Sequence, residues 1–470
     1  MIFEMEEIME LKEIKIIQGG MGVYISCPAL ARKVSSLSRF GRETLGTISG
    51  VALERLFPRI LRQGGEKAEE MIRVLTDFPF RGIAEKVLNE YISKSGKGVP
   101  VFSVTPSHAL IILTICANFA FVRLAKEGHT NPVSINYLEK IAMPHLFAIY
   151  GAMLAGVDYI TMGAGIPIQI PTIINAYASG QPASYEIPVI DGDKYVMTFD
   201  PRKFFGEEIP QLKRPGFIPI IASNVLAIML EKKLSKGSIQ GFVIEEPTAG
   251  GHNAPPRNKI SYGDKDIVDY PKIAELGIPF WIGGSYASPG KLEWAQSVGA
   301  NGIQAGSIFA LSEESGMDPK IRQEIRKRGF SGTNVVKTDM RASPTGFPLK
   351  VVELTGTVSG ESTYQARERV CDQSVLVSAY KKPNGSIGYR CASEPIDAYI
   401  KKGGKIEDTV GRKCICNGLI TTGNLRFEGE NEPAIVTLGD DTSFLTHLMQ
   451  NENSSYIAED ALNYLLGKST

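Results

Sequence analysis

Short apolar runs rich in strand-forming residues alternate with longer segments of helical periodicity along most of this chain of 470 residues. The alternation is typical of strand–helix units around a parallel sheet whose strands are buried on both faces. Eight runs can be counted, the number that closes a (β/α)8 barrel, which takes about 250 residues. The predicted strands are Ile14–Ile17, Leu45–Ile48, Pro100–Val104, Val157–Thr161, Phe217–Ala222, Gly241–Glu245, Phe280–Ile282 and Gly302–Ala305. The sequence therefore predicts an α/β fold, a TIM (β/α)8 barrel.

Three stretches do not fit the repeating unit and are predicted to be additions. Residues at about 52–98 are charged and helical in pattern, which indicates a helical insertion before the third predicted strand. Tyr185–Phe199 contains two alternating runs around an Asp-Gly pair, the signal of a β-hairpin. We therefore expect residues 1–350 to form the barrel with these additions. Residues 351–470, with their short elements and many glycines, are expected to form a C-terminal lobe.

Charge and hydropathy exclude several classes of partner. The 51 basic and 51 acidic residues balance, and no basic stripe indicates a nucleic-acid partner. The acidic N-terminus lacks the pattern of a signal peptide. The longest apolar stretch, Ala109–Val122, is shorter than the ~20 residues that cross a membrane, and it is predicted to be a buried core helix. We expect a cytoplasmic protein without a membrane or nucleic-acid partner.

Glycines cluster directly after the first predicted strand, in the segment Gln18-Gly19-Gly20-Met21-Gly22. Without a Cβ, glycine lets a flat ring lie against backbone N–H groups. The same residues could serve only as a tight turn between strand and helix.

The last two predicted strands also end in glycine, at Gly283-Gly284 and at Gly306-Ser307. In barrels, the loops after the seventh and eighth strands often hold a phosphate on backbone N–H groups. This pair of segments predicts a phosphate site, with simple turn formation as the alternative.

A histidine follows the sixth predicted strand in the segment Gly250-Gly251-His252, ahead of two prolines. A loop histidine can act as an acid, a base or a donor to a ligand at neutral pH. The alternative is a loop histidine that is hydrogen-bonded to backbone. His145, by contrast, lies in an apolar helical run and is predicted to be a core residue.

The ordered set IIQGGMG, GVDYITMGAGIP, GGH, WIGG and GIQAGSIFAL resembles the nitronate monooxygenase family, formerly called 2-nitropropane dioxygenases. The resemblance covers Lys15 to Pro348 and implies a TIM barrel with FMN. It implies that the isoalloxazine lies against the first glycine segment and that His252 stands over it as the catalytic residue. The implied cofactor contacts are Gly19, Gly20, Met21, Gly22, Gly251, Gly283, Gly284, Gln304, Gly306 and Ser307.

One feature departs from that family, and one points to a second class. Relatives often carry an Asn at the end of the third strand, where this chain has Ser103-Val104-Thr105-Pro106. The segment GGHNAPPR is similar to the extended loop of trans-acting flavin enoyl reductases of polyketide and polyunsaturated fatty-acid synthesis, in the same superfamily.

Three functions therefore stay open. The first is oxidation of alkyl nitronates with O2, the activity of the resembled family. The second is reduction of an enoyl thioester with NAD(P)H. The third is a non-catalytic, flavin-bound partner in a multienzyme synthase. The expected partners are a small-molecule substrate, possible NAD(P)H and a possible second copy in a homodimer.

Four of the six cysteines fall in the C-terminal lobe. Four thiolates can hold Zn²⁺ or an iron–sulfur cluster. Only two of them are close in sequence, as a C-x-C step, and the paired C-x2-C spacing of zinc ribbons is missing. We therefore predict reduced free thiols without a metal. The four are Cys371, Cys391, Cys414 and Cys416.

Overall fold

The computed structural model describes residues 11–37, 42–92, 99–206, 208–259 and 261–468. Its central feature is a closed barrel of parallel strands in the order β1-β11-β10-β9-β8-β4-β3-β2, which confirms the predicted TIM barrel. The barrel strands are β1 Ile16–Gln18, β2 Thr44–Ser49, β3 Val133–Leu138, β4 Tyr159–Gly163, β8 Gly216–Ile221, β9 Phe242–Glu245, β10 Phe280–Gly283 and β11 Gly302–Ala305. The other strands are β5 Ala183–Ile187, β6 Val189–Ile190, β7 Tyr195–Phe199, β12 Val336–Asp339, β13 Leu349–Val352, β14 Ser378–Lys381 and β15 Ile387–Arg390.

The third barrel strand is not the predicted one. Pro100–Val104 forms no strand, and β3 lies about thirty residues further along the chain, between β2 and β4. Phe102 and Val104 are buried all the same, and the Val104 N–H donates to the Tyr389 hydroxyl at 2.8 Å. The prediction failed because apolar residues that pack on the outside of a barrel look like a strand in sequence.

The helices surround the barrel, and four of them, α2 to α5, lie in the connection between β2 and β3. The predicted helical insertion is therefore present, although residues 93–98 lie outside the described residues. The helices are α1 Pro28–Ser36, α2 Leu53–Gln63, α3 Glu66–Val74, α4 Arg81–Ile92, α5 His108–Ala125, α6 His145–Leu154, α7 Ile170–Ala178, α8 Pro201–Phe205, α9 Asn224–Lys233, α10 Tyr270–Ala274, α11 Pro289–Ser297, α12 Ser307–Ala310, α13 Pro319–Phe330, α14 Glu361–Ala366, α15 Ile396–Lys401, α16 Ile415–Thr422, α17 Leu445–Leu448 and α18 Ala458–Leu465.

Helix α5 is long and apolar enough to cross a membrane by composition, but 72% of it is buried inside the protein. Ser107 caps its N-terminus by accepting from the Leu110 N–H. The helix packs against α1, α2 and α6. It is thus the core helix that the sequence predicted.

The predicted hairpin is also present. Strands β5 and β7 pair antiparallel, with Ala183 opposite Phe199 at one end and Ile187 opposite Tyr195 at the other. Strand β6 between them pairs with β14 of the C-terminal residues. Those residues also lie over the carboxyl end of β9, since the Asp440 N–H donates to the Thr248 carbonyl in the loop that follows this strand, at 3.0 Å. The division of the chain at residue 350 remains a prediction.

Candidate active site

All eleven predicted site residues line one cavity over the carboxyl ends of the barrel strands. The cavity encloses about 1770 Å³, its open mouth included, and its wall is mostly apolar. The predicted residues on the wall are Gly19, Gly20, Met21, Gly22, Gly251, His252, Gly283, Gly284, Gln304, Gly306 and Ser307.

Buried polar side chains hold the first glycine turn in place. The Ser26 hydroxyl donates to the Gly19 carbonyl at 2.8 Å and accepts from the Met21 N–H at 2.9 Å. The Gln18 amide donates to Ser26 at 2.9 Å, and its oxygen accepts from the Thr47 N–H at 3.0 Å. These bonds tie the turn to β2 and fix its backbone ahead of any ligand.

Asn136 on β3 lies against this turn. Its Nδ2 donates to the Gly20 carbonyl at 3.2 Å, and its Oδ1 accepts from the Thr161 hydroxyl at 3.0 Å. The side chain therefore lines the cavity in one fixed orientation. The segment Ser103-Val104-Thr105-Pro106 is not the end of the third strand, so the lack of an Asn there is no departure from the resembled family. The actual third strand, β3, does carry an Asn.

Several cavity glycines are not needed by the protein itself. A Cβ on Gly19, Gly283 or Gly306 would meet other protein atoms only at 3.4 Å or more, which is close to ordinary contact, and none of the three has positive φ. Turn geometry alone explains Gly22 and Gly284, whose φ angles are +54° and +117°, but leaves the other three unexplained. Missing side chains along a cavity wall leave room for a ligand.

The loops after β10 and β11 suit an anion. Gly283 and Gln304 are paired neighbours on these strands, so the loops that follow lie side by side. The Ser285 hydroxyl is buried and has no hydrogen-bond partner among the described residues, although a buried hydroxyl normally has one. The Ser307 hydroxyl accepts from the Gly439 N–H at 2.8 Å and keeps its own proton to donate. Phosphate oxygens would satisfy both hydroxyls, so these residues fit the phosphate group of a bound ligand.

Three residues with strained backbone lie on the same wall. Ala52, Ala164 and Ser285 have φ angles of 56°, 56° and 57°, in the left-handed region that non-glycine residues rarely adopt. Each follows a barrel strand, and each lines the cavity. Strained residues of this kind cluster at ligand sites, where the surrounding structure holds them in place.

His252 is held in place by residues that follow the last barrel strand in sequence. Its backbone bridges to Leu349, and its Nε2 is 2.7 Å from the Ser343 hydroxyl. Burial, together with the nearby charge of Lys140, lowers the pKa of His252 to about 3. The imidazole is therefore neutral at physiological pH, and it can donate or accept a hydrogen bond.

Two further ionisable groups lie beside His252. Glu245 ends β9 on the cavity wall, and burial raises its pKa to about 8 while Lys140 opposes the shift. Burial lowers the pKa of Lys140 to about 7 against the opposing charges of Glu139 and Glu245. Both groups can exchange protons near neutral pH, which is the property of acid–base residues.

The C-terminal residues complete the cavity. Gly439 packs so tightly against the loop after β9 that a Cβ would lie 3.1 Å from the Thr248 carbonyl oxygen. The Thr437 hydroxyl accepts from the Gly251 N–H at 2.7 Å. The apolar side chains that these residues add to the wall are Val375, Leu376, Leu419, Ile420, Ile435 and Leu438.

Sequence reasoning missed this wall and four polar residues. Asn136 and Lys140 were overlooked because β3 was misplaced, and the alternating run Val133–Leu138 was the available signal. Glu245 ends a predicted strand next to the histidine loop, so its position could have indicated a role. Ser285 directly follows the Gly283-Gly284 pair and could have been added to the phosphate site. Nothing local in the sequence indicates which C-terminal residues fold back over the barrel.

The remaining candidates from the sequence are one histidine and the cysteines. His145 is buried, with Nε2 at 3.1 Å from the Leu138 carbonyl, as predicted for a core residue. The thiols of Cys371 and Cys391 are hydrogen-bonded, and Cys416 reaches the cavity wall. All six cysteines are free, and no three metal-ligating side chains converge within the described ranges. The absence of a metal remains a prediction.

Comparison with known proteins gives a partial match. No protein-family model matches the chain. Over 130 residues it is 28% identical to (3aS,4S,5R,7aS)-5-hydroxy-7a-methyl-1-oxo-octahydro-1H-indene-4-carboxyl-CoA dehydrogenase of Rhodococcus jostii. The match covers 27% of this chain and 34% of that protein, so it spans about a third of the relative's length.

Similar solved structures include FabK from Thermotoga maritima, at 14% identity and a TM-score of 0.48 over 97% of this chain and 92% of that one. The nitroalkane oxidase from Streptomyces ansochromogenes has 10% identity and a TM-score of 0.45 over 97% and 95%. The enoyl reductase domain of MlnA, from the macrolactin biosynthesis cluster of Bacillus amyloliquefaciens, has 11% identity and a TM-score of 0.47 over 96% and 92%. Identities and TM-scores this low assign no function.

Proposed function

We propose that this chain is an FMN-dependent oxidoreductase. The observation that carries the proposal is the cavity wall, where Gly19, Gly283 and Gly306 leave space that the protein does not need, next to the unpaired Ser285 hydroxyl. The first glycine turn would hold the ring, and Ser285 and Ser307 would hold the phosphate. When bound, FMN supplies reversible transfer of a hydride or of single electrons.

The geometry best supports an acyl thioester with a carbon–carbon double bond as the substrate. The C-terminal wall is apolar, and through Ile141, Ala164 and Leu376 the active-site cavity adjoins a second cavity of about 1090 Å³. A long acyl group would pack against such an apolar wall, whereas a small nitronate does not need one. The curated relative is named for a carboxyl-CoA substrate, which also favours a thioester.

In this reaction His252 would act at the thioester end of the substrate. Reduction of an enoyl group places negative charge on the thioester oxygen, and a neutral imidazole N–H can stabilise that charge by hydrogen bonding. The α-carbon must then receive one proton. Glu245 and His252 both line the cavity and are the residues from which that proton can come.

Nitronate oxidation is the second candidate. It is favoured by the neutral state of His252, which could bind the nitro oxygens of a preformed nitronate without transferring a proton. Neutral nitroalkanes would instead require removal of the α-proton.

An anaerobic screen that follows flavin absorbance distinguishes the candidates. Bleaching by NADH or NADPH, with recovery of colour on adding an enoyl-CoA, is the expected result. Bleaching by a nitronate but by neither nicotinamide would replace the reductase with the oxidase. Protein that binds FMN but responds to none of these compounds would contradict both and favour the non-catalytic partner.

A further inference from the structure

A chain of hydrogen-bonding side chains runs from the active-site cavity to the second cavity. His252 Nε2 is 2.7 Å from Ser343 Oγ, and Ser343 Oγ is 2.7 Å from Thr345 Oγ1. Lys140 Nζ donates to Thr345 Oγ1 at 3.4 Å. Each hydroxyl can donate and accept at once, so the chain is continuous from an imidazole to an ammonium group.

The two ends of the chain open on different spaces. His252 lines the active-site cavity, whereas Lys140 and Thr345 line the second cavity. The Lys140 ammonium is 3.1 Å from the centre of the Phe347 ring, a cation–π contact that keeps it beside Thr345. The half-buried Lys140 is therefore the end at which protons enter from solvent.

The loop that carries the two hydroxyls is anchored where it begins. Arg412 donates to the Ser343 carbonyl at 2.6 Å, and the Lys413 N–H donates to the Ala342 carbonyl at 2.9 Å. Pro344 between the hydroxyl residues restricts the backbone further. Such support is expected where side chains must stay within hydrogen-bonding distance.

The charges around this row of hydrogen-bonded side chains favour proton exchange at Lys140. Glu139 from the β3 loop and Glu245 from β9 act on Lys140, and Glu54 and Arg55 of α2 line the same second cavity. Burial outweighs these carboxylates and lowers the pKa of Lys140 to about 7, so the amine can both take and release a proton at neutral pH. His252 resists a lasting positive charge, so it can give one proton only while it takes another.

We propose that Ser343, Thr345 and Lys140 form a proton relay that supplies His252 from the second cavity. As His252 releases a proton from Nδ1 to the substrate, Nε2 takes one from Ser343. Ser343 takes one from Thr345, and Thr345 takes one from the Lys140 ammonium. The neutral amine regains its proton from water in the second cavity. One proton is carried, no electrons move, and the sequence runs in reverse when the substrate gives up a proton.

The relay rests on the proposed function only in requiring proton transfer at His252. Thr345→Val keeps the shape of the side chain and removes the hydroxyl that links Lys140 to Ser343. We expect this variant to lose about 10²-fold in turnover of the substrate whose reaction requires proton transfer at His252. This loss is within the range for acid–base groups. Thr345→Ser should restore turnover to within about threefold of the parent, since a hydroxyl returns. Lys140→Met should lose as much turnover as Thr345→Val. The double variant should lose no more than either single variant, because the effects of residues that act as one unit are not additive.

The matched control is Thr421→Val, since Thr421 is also half-buried and its hydroxyl donates to the Glu432 carbonyl at 3.0 Å, outside the relay. Its turnover should stay at the parent level. FMN content and bleaching of the flavin by the reductant should be unchanged in all variants. A parent protein without FMN or without bleaching would contradict the proposed function rather than the relay. Additive losses in the double variant, or full turnover of Thr345→Val, would overturn the relay.

A pH titration without substrate tests the relay separately. Nitrogen NMR of the FMN-loaded protein should show the His252 ring signals moving with a midpoint near pH 7, the titration of Lys140. The movement should disappear in Lys140→Met and shrink in Thr345→Val, but persist in Thr421→Val. His252 signals that ignore pH between about 6 and 8 would overturn the relay even in protein that turns over no substrate.

Discussion

Gly20→Ala is the substitution whose effect follows most directly from the contact between the first glycine turn and β3. A Cβ at position 20 would lie 2.2 Å from the Asn136 Cβ and 2.9 Å from its Cγ and Nδ2. Ordinary contacts of this kind are 3.4 Å or longer. The turn and the strand would therefore have to separate by about 1 Å, although both belong to a closed barrel that deforms little.

Forced overpacking of this kind costs about 1–3 kcal/mol of unfolding free energy. The displaced turn carries the backbone that we assign to the flavin ring, so FMN affinity should also fall by about tenfold or more, or ~1.4 kcal/mol. Differential scanning fluorimetry and flavin fluorescence titration measure the two losses on the same sample.

The control is Gly82→Ala on α4, where an added Cβ would meet nothing within 4 Å. That variant should gain about 0.5–1 kcal/mol and bind FMN normally, because alanine is favoured over glycine inside a helix. Asn136→Gly in the Gly20→Ala background should recover part of the lost stability, whereas Asn136→Ala should recover less, since the shortest clash is with the Asn136 Cβ. A Gly20→Ala protein with parental melting temperature and FMN affinity would refute this reasoning.

Three further predictions concern the histidine and the thiols. His252→Ala should keep FMN and the fold but lose about 10²–10⁴-fold in turnover of any substrate whose reaction moves a proton. Parental rates on every accepted substrate would show that His252 has only a structural role in its loop. Because burial lowers the pKa of His252 to about 3, the unfolded chain binds the extra proton and stability falls as pH drops from about 6.5 towards 3. His252→Gln should therefore reduce the fall in melting temperature over that pH interval. A fall as large as that of the parent would contradict the lowered pKa of His252. Elemental analysis of anaerobically purified protein should find no zinc and no iron with sulfide, and one zinc or several irons per chain would contradict the predicted free thiols at Cys371, Cys391, Cys414 and Cys416.

The barrel could be predicted from sequence because its strands are buried on both faces and most of them contain an apolar run. The third strand is buried as well, but Ser134 and Asn136 alternate with its apolar residues. Asn136 bonds to Gly20 and Thr161, and the Ser134 hydroxyl contacts the Thr47 hydroxyl at 2.5 Å. In sequence such a strand looks half-exposed, whereas the apolar segment before α5 looks like a buried strand.

The site was predictable where glycines follow strands, since chain order alone brings those loops to one end of a barrel. Lys140 reaches His252 only through Ser343 and Thr345, which lie more than two hundred residues further along the chain than Lys140. Such contacts depend on how the chain returns over the barrel mouth. No local periodicity or spacing encodes them.

The cofactor of the purified protein tests the central claim most directly. The protein should be yellow as isolated or after addition of FMN, and acid treatment should release one FMN per chain, identified by chromatography against FMN and FAD standards. FAD in its place would contradict the single-phosphate site at Ser285 and Ser307. A colourless protein that takes up no added FMN would contradict the assignment of the cavity as a flavin site.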